Sequence, residues 1–223
     1  MAFLRKVLAI VWKDVTAELR TKDIFSAMAV FALLATVIFQ YAFDLRAENL
    51  RLVLPGVVWT TVTFSGVLGL SRSFILEQDR GLLEGLLLAP MDRSAIYFGK
   101  LIGNLLFITA VELLLLPALS ILFDVWLLTP PILLFVALGT LGFAAVGTLF
   151  SAVSINTRAR EVMLPILLFP VMVPVLIAGV RGISGLLDGE PLTDLLQWVR
   201  LLLAYDVVFT TTAFLLFDYV VEE

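Results

Sequence analysis

No cysteine and no histidine occurs among the 223 residues. Disulfides, thiolate chemistry and zinc sites of the Cys/His type are therefore excluded, as is axial His or Cys ligation of haem iron. Charge is scarce as well. Asp, Glu, Lys and Arg make up 15% of the chain, against roughly 25% in a soluble domain. The formal charge of −4 is mild and gives no basic footprint for nucleic acid. Neither G-x-x-x-x-G-K-[ST], H-E-x-x-H nor G-x-S-x-G is found, so there is no P-loop to cradle ATP and no catalytic constellation. The chain reads as a non-enzyme. The first residues, "MAFLRKVLAIVWKDV", lack the apolar core and small-residue cleavage site of a secretory leader. They are expected to belong to the mature protein.

What is abundant is apolar surface. Hydrophobic residues are 61% of the chain, more than a soluble protein of this length can hide, so lipid must solvate much of it. A spanning helix needs about 20 apolar residues. Six windows qualify: Ile24–Phe43, Leu52–Leu70, Leu101–Phe123, Ile132–Val153, Val162–Val180 and Val199–Val221. No strand-like alternation supports a barrel. The expected fold is an all-α membrane protein, a single six-helix domain over residues 1–223. Its parts are an N-terminal helix (1–22), spans one and two (24–70), a charged segment (72–100), spans three to five (101–180), an outer loop (181–198) and span six (199–221).

Orientation follows the distribution of Lys and Arg. An even number of spans puts both termini on one side. If that side is the cytoplasm, eleven of the fifteen basic residues are inside, and only Arg46, Arg51, Arg181 and Arg200 are outside. Both termini are therefore expected to be cytoplasmic. In the N-terminal helix, Leu4, Leu8, Val11, Val15 and Leu19 recur at helical spacing, and Lys6, Lys13 and Arg20 recur every seventh residue on another face. Such a helix is expected to lie in the inner membrane interface, with Trp12 at headgroup level.

Several positions inside the spans are polar or broken. Glu112 sits deep in span three, with Asn104 two turns earlier. An acid there is either a pathway or coupling residue or a polar anchor that sets helix packing. Asp206 in span six is a further pathway candidate, although its nearness to the outer end favours simple reach to the outer interface. Span five carries Pro165, Pro170 and Pro174. Each removes an N–H and pushes the helix to bend, so they form a candidate hinge. Gly139, Gly142, Ala144, Gly147 and Thr148 in span four, and "GKLIG" at Gly99–Gly103, have the spacing of close helix packing. The segment Arg181–Arg200 is expected to be an outer loop with a short amphipathic or re-entrant piece, its Trp198 at the interface.

The segment Arg72–Lys100 is the most unusual part of the chain. Its apolar run "GLLEGLLLAPM" has eleven residues, about 16 Å as a helix and roughly half the hydrocarbon thickness. It cannot cross. Leu82, Leu83, Leu86 and Leu87 share one helical face, Pro90 ends the run, and Asp92 is placed to cap the next helix. A cytoplasmic amphipathic helix of this kind suits docking in a partner's groove. Glu77, Asp79 and Glu84 argue against attraction to anionic lipid.

The pattern E-x-D-x-G-x-L-E-x-L, followed by a proline and G-K, is carried here by Glu77, Asp79, Gly81, Leu83, Glu84, Leu86, Pro90, Gly99 and Lys100. It resembles the coupling region of ABC-2-type exporter permeases, whose bundle is also called type V. The wider pattern adds "DVTAELRTKD", "LPILLFPVMVPVLIAG" and "WVRLLLAYDVVF". Over nearly the full chain it resembles the haem exporter permease family of cytochrome c maturation, CcmB. The resemblance implies that Glu77, Asp79, Arg80, Gly81, Leu83, Glu84, Leu86 and Pro90 meet a separate ABC ATPase subunit (CcmA-like). It further implies a haem-handling membrane subunit (CcmC-like), a haem chaperone and a second copy of the chain, all in a bacterial inner membrane. ATP would act only through the partner, and haem would be handled or transported rather than bound tightly. Whether haem itself passes, or ATP-driven motion releases a haem-loaded chaperone, stays open. A generic ABC-2 exporter of a lipid, drug or glycan, and a non-transporting scaffold, are the alternatives.

Overall fold

The computed structural model describes residues 2–43, 47–79, 92–155 and 160–220. These residues form seven helices and no strand: α1 (Ala2–Thr21), α2 (Asp23–Ala42), α3 (Ala47–Asp79), α4 (Arg93–Leu122), α5 (Pro130–Ile155), α6 (Arg160–Leu187) and α7 (Leu196–Val220). The six from α2 to α7 are long and apolar enough to cross a membrane. The chain is an all-α, multi-pass membrane protein.

Helix α5 is the hub. It packs against α3, α4, α6 and α7, and its glycines make room for them. A Cβ at Gly139 would overlap the Trp59 ring of α3, one at Gly147 would overlap Leu70 of the same helix, and one at Gly142 would meet Tyr205 and Asp206 of α7. Gly179 of α6 presses on the same indole from another side, so buried Trp59 joins three helices. The small-residue spacing in span four thus serves close approach, as the sequence suggested.

Three span boundaries, at the start of α4, the end of α6 and the start of α7, differ from expectation. Helix α4 starts at Arg93, eight residues before the expected Leu101, because Ala95, Ile96, Tyr97, Gly99 and Lys100 are all buried in the bundle. Asp92 does sit at its N-cap, but its side chain makes no capping bond; its carbonyl accepts from the Ala95 N–H at 2.9 Å instead. Helix α6 runs to Leu187, and α7 begins at Leu196, so the outer connection shrinks to residues 188–195. The glycines that suggested a loop are packing positions. Gly182 lies against the Phe135 ring and Gly185 against Leu195. A positive φ of 87° falls at Gly189, in the turn itself.

The three prolines of α6 leave it one helix. Pro170 and Pro174 lie on its exposed side, while Leu168, Met172, Val175 and Ala178 fill the core. At one end of the bundle Arg72 donates to the Asp23 carbonyl at 3.2 Å and Arg93 to the Asp218 carbonyl at 3.2 Å. At the other end Arg51 donates to the Leu187 carbonyl at 3.5 Å. The start of α2, the end of α3, the start of α4 and the end of α7 thus share one end.

The Trp59 junction yields a stability prediction. Gly179→Leu should lower the melting temperature in mild detergent, with a cost of about 1–3 kcal/mol from overpacking. Adding Trp59→Leu should recover part of the loss, since the two changes meet at one contact. Equal melting curves for wild type and Gly179→Leu would refute the junction.

Candidate functional site

The charged segment emerges from α3, which has 33 residues and so reaches about 50 Å, well beyond a hydrocarbon core of ~30 Å. Its membrane-compatible part ends at Ser73, and the helix continues to Asp79. Glu77 and Asp79 therefore stand on helical turns past the apolar span. Arg80, Gly81, Leu83, Glu84, Leu86 and Pro90 lie outside the described residues. The chain is described again from Asp92, at the head of α4.

Helix α1 is clamped onto that head. Gly99 is bare enough that a Cβ there would meet Ile10 at 2.7 Å, and Gly103 lies beside Asp14. Between them Lys100, whose side chain is 2% exposed, holds Asp14 with Nζ to Oδ2 at 3.0 Å. One turn further on, Glu18 is buried and its Oε1 accepts the Phe25 N–H at 2.7 Å. Lys22, the residue before α2, is left-handed at φ 57° and gives no side-chain cap. Glu18 supplies the missing acceptor from across the turn, satisfying one of the first N–H groups of α2. The packed face of α1 is thus Val7, Ile10, Asp14 and Glu18. Of the expected apolar row, Leu4, Leu8 and Leu19 are exposed, together with Trp12, while Val11 and Val15 are half-buried. The periodicity assigns that row to the membrane interface and does not single out the face that docks on the bundle. Asp14 and Glu18 belong to the docking face, and a lysine enclosed in the G-K-L-I-G run was the available hint.

Inside the bundle the polar residues of α4 face α5. Asn104 donates from Nδ2 to Thr148 Oγ1 at 3.0 Å, and Thr140 Oγ1 donates to Glu112 Oε1. Eight residues separate the members on each antiparallel helix, so both pairs keep one register. All four side chains are buried. A hydrocarbon solvent cannot hydrogen-bond, so turning these groups onto threonines is what allows them inside a span. Asn104 and Glu112 thus line the same side of α4, toward α5. The two threonine partners were not singled out for this role, because a threonine in an apolar helix is ordinary until its neighbour is known.

Asp206 is a correction. It does not reach an outer interface; it is 5% exposed and points at Gly142, where a Cβ would come within 2.6 Å of Oδ1. Tertiary packing placed α7 with this face on α5, and a glycine left space for a carboxylate. Among the described residues neither Asp206 oxygen has a hydrogen-bond partner. Its neighbour Tyr205 donates to the Val171 carbonyl of α6 at 3.2 Å. Gly142 and Thr140 lie two residues apart on α5, so Asp206 and Glu112 approach that helix from different sides. The structure does not bring these two acids together in one polar row. Among the described residues, no group of three or more Asp and Glu side chains comes within reach of a metal ion.

The clamp on α1 makes a second prediction. Lys100→Ala should destabilise the protein by about 3 kcal/mol, the low end for a broken buried pair, because Lys13 still lies 3.2 Å from Asp14. The double change Lys100→Met with Asp14→Leu should cost less than Lys100→Ala alone, which thermal unfolding in detergent can read. A Lys100→Ala protein as stable as wild type would show that the pair does not hold α1.

The comparisons with known proteins fit this architecture. Heme exporter protein B of Pseudomonas aeruginosa is 25% identical over 185 residues, covering 82% of this chain and 83% of its own. The protein of the same name from Rhodobacter capsulatus is 26% identical over 195 residues, covering 84% and 88%. That from Paracoccus denitrificans is 25% identical over 204 residues, covering 88% and 91%. The family model for CcmB protein matches residues 5–219, a stretch that takes in five of the six membrane-compatible helices whole and all but the last residue of the sixth, and the chain belongs to the CcmB protein family.

Proposed function

We propose that this chain is the permease subunit of an ABC complex that exports or delivers haem for c-type cytochrome biogenesis. Its relatives are named heme exporter protein B, and that shared name carries the substrate class. The observation that carries the mechanism is a helix continuing past its apolar span into the acidic segment that begins at Glu77 and Asp79, in a chain without a P-loop motif of its own. In this reading Arg72–Lys100 receives a partner ATPase in the cytoplasm of a bacterium, and both termini face that compartment. The outward row Leu4, Leu8, Trp12 and Leu19 of α1 rests on the inner leaflet.

Motion at the ATPase would pass to α1 and α2 together. Lys100 at the end of the segment grips Asp14, and Glu18 grips the start of α2. Three elements are thereby joined by charge-assisted contacts that resist stretching more than apolar contact does. Within the bundle, Glu112 and Asn104 couple α4 to α5 through Thr140 and Thr148. Pro165, Pro170 and Pro174 give α6 the hinge, because each removes the N–H that an earlier carbonyl would use. Either haem movement or release of a haem-loaded chaperone from a neighbouring haem-handling subunit would use that motion. A second copy of the chain would complete the assembly.

Reversing charge at Glu77, Asp79 and Glu84 together should abolish co-purification of the ATPase and lower holocytochrome c yield, with the permease itself still in the membrane. Normal yield and normal ATPase capture would sink the docking reading. Glu112→Gln keeps a carbonyl oxygen for the Thr140 hydroxyl, so its melting temperature should stay close to wild type. If Glu112 takes part in coupling through its charge or its proton, holocytochrome c yield should nevertheless fall in that variant. Unchanged yield would make Glu112 a packing anchor only.

A further inference from the structure

A shallow, widely open groove of about 560 Å3 runs along α2 where that helix leaves the turn after α1. Its mouth holds Lys22, Asp23 and Arg72, and its wall is Val30, Phe31 and Leu34. Lys22 stands in the turn between α1 and α2 with a left-handed backbone, and its side chain is exposed at this mouth. Among the described residues no carboxylate pairs with it. Arg72 uses one N–H on the Asp23 carbonyl; it lines the same mouth and has further guanidinium N–H donors beyond that one. Two cations and one carboxylate leave the mouth with a single net positive charge.

The shape and depth decide the ligand class. Asp23 begins an apolar span and Arg72 closes another, so the mouth lies at the level where a membrane passes from headgroup to hydrocarbon. From Asp23 to Leu34 the α2 axis descends about 16 Å, close to the hydrocarbon depth of one leaflet. A free phosphate would satisfy the mouth and leave the apolar wall unused. An acyl chain alone would leave the cations unused. We propose that this groove holds one phospholipid, its phosphodiester between Lys22 and Arg72 and one acyl chain along Val30, Phe31 and Leu34. The single net charge of the mouth suits a phosphodiester better than a polyanion. The lipid bridges the start of α2 and the end of the apolar part of α3, where the charged segment departs.

The test is native mass spectrometry of the full chain extracted from bacterial membranes in mild detergent. Wild type should retain one phospholipid after added detergent has stripped the others. Lys22→Gln with Arg72→Gln should weaken that retention by roughly thirtyfold, the product of two interfacial cations. Val30→Trp fills the wall while keeping both cations and the Arg72–Asp23 bond, and it should also lose the lipid, which separates loss of the site from loss of fold. Arg200→Gln, at the other end of the bundle, should retain it. Retention unchanged in both groove variants would overturn the proposal. So would a retained mass of inorganic phosphate without acyl chains, or equal loss in Arg200→Gln.

Discussion

Helix α5 can sit at the centre of six spans only because its backbone can be approached closely. At Gly139, Gly142 and Gly147 a single added carbon would strike an aromatic ring, a carboxylate or a leucine from a neighbouring helix. In lipid no hydrophobic drive pulls helices together, since the tails are as apolar as leucine, and close packing has to supply the attraction instead. Trp59 shows how far this goes. Its ring lies where α3, α5 and α6 meet, against glycines of two of them. The polar pairing, the position of α7 and the outer turn all depend on this arrangement.

The same solvent explains why polar groups appear where they do. Asn104, Glu112, Thr140 and Thr148 are buried and paired between α4 and α5. Tyr97 and Tyr205 each send a hydroxyl to a carbonyl of another helix, Ala145 and Val171. These bonds act as directional contacts in a bundle whose remaining contacts are mostly non-directional, so they set register as well as stability. Asp206 departs from the rule, buried over Gly142 with no partner among the described residues.

At the end of the bundle where the charged segment departs, electrostatics joins close packing as an organising force. Lys100 and Asp14 fasten α1 to α4, and Glu18 fastens α1 to α2 by accepting a backbone N–H at the helix start. These contacts also turn the row of Leu4, Leu8, Trp12 and Leu19 outward. The helix thus has a docked face of two apolar and two acidic residues, Val7, Ile10, Asp14 and Glu18, and an exposed apolar row. The groove with Lys22 and Arg72 lies beside that junction.

Much of this was legible in the linear chain. A run of apolar residues is a local property, and hydrocarbon thickness gives it a length, so the six spans follow from counting. The family motif likewise lies in contiguous stretches such as Glu77–Leu86. Packing decided the rest. Gly182 and Gly185 looked like a loop because glycine signals a turn when nothing is known of its neighbours; with Phe135 and Leu195 against them they continue a helix. Asp206 looked like a residue near an interface because its depth was inferred from its distance to the helix end. Only the glycine opposite it, 64 residues away at Gly142, makes burial possible. Which face of α1 docks was ambiguous for the same reason, since periodicity finds faces but not their partners. The sequence by itself determined which segments enter the membrane, because that is a contest between each segment and its solvent. Only the tertiary structure decided where each side chain points, because that is a contest between helices distant in the chain.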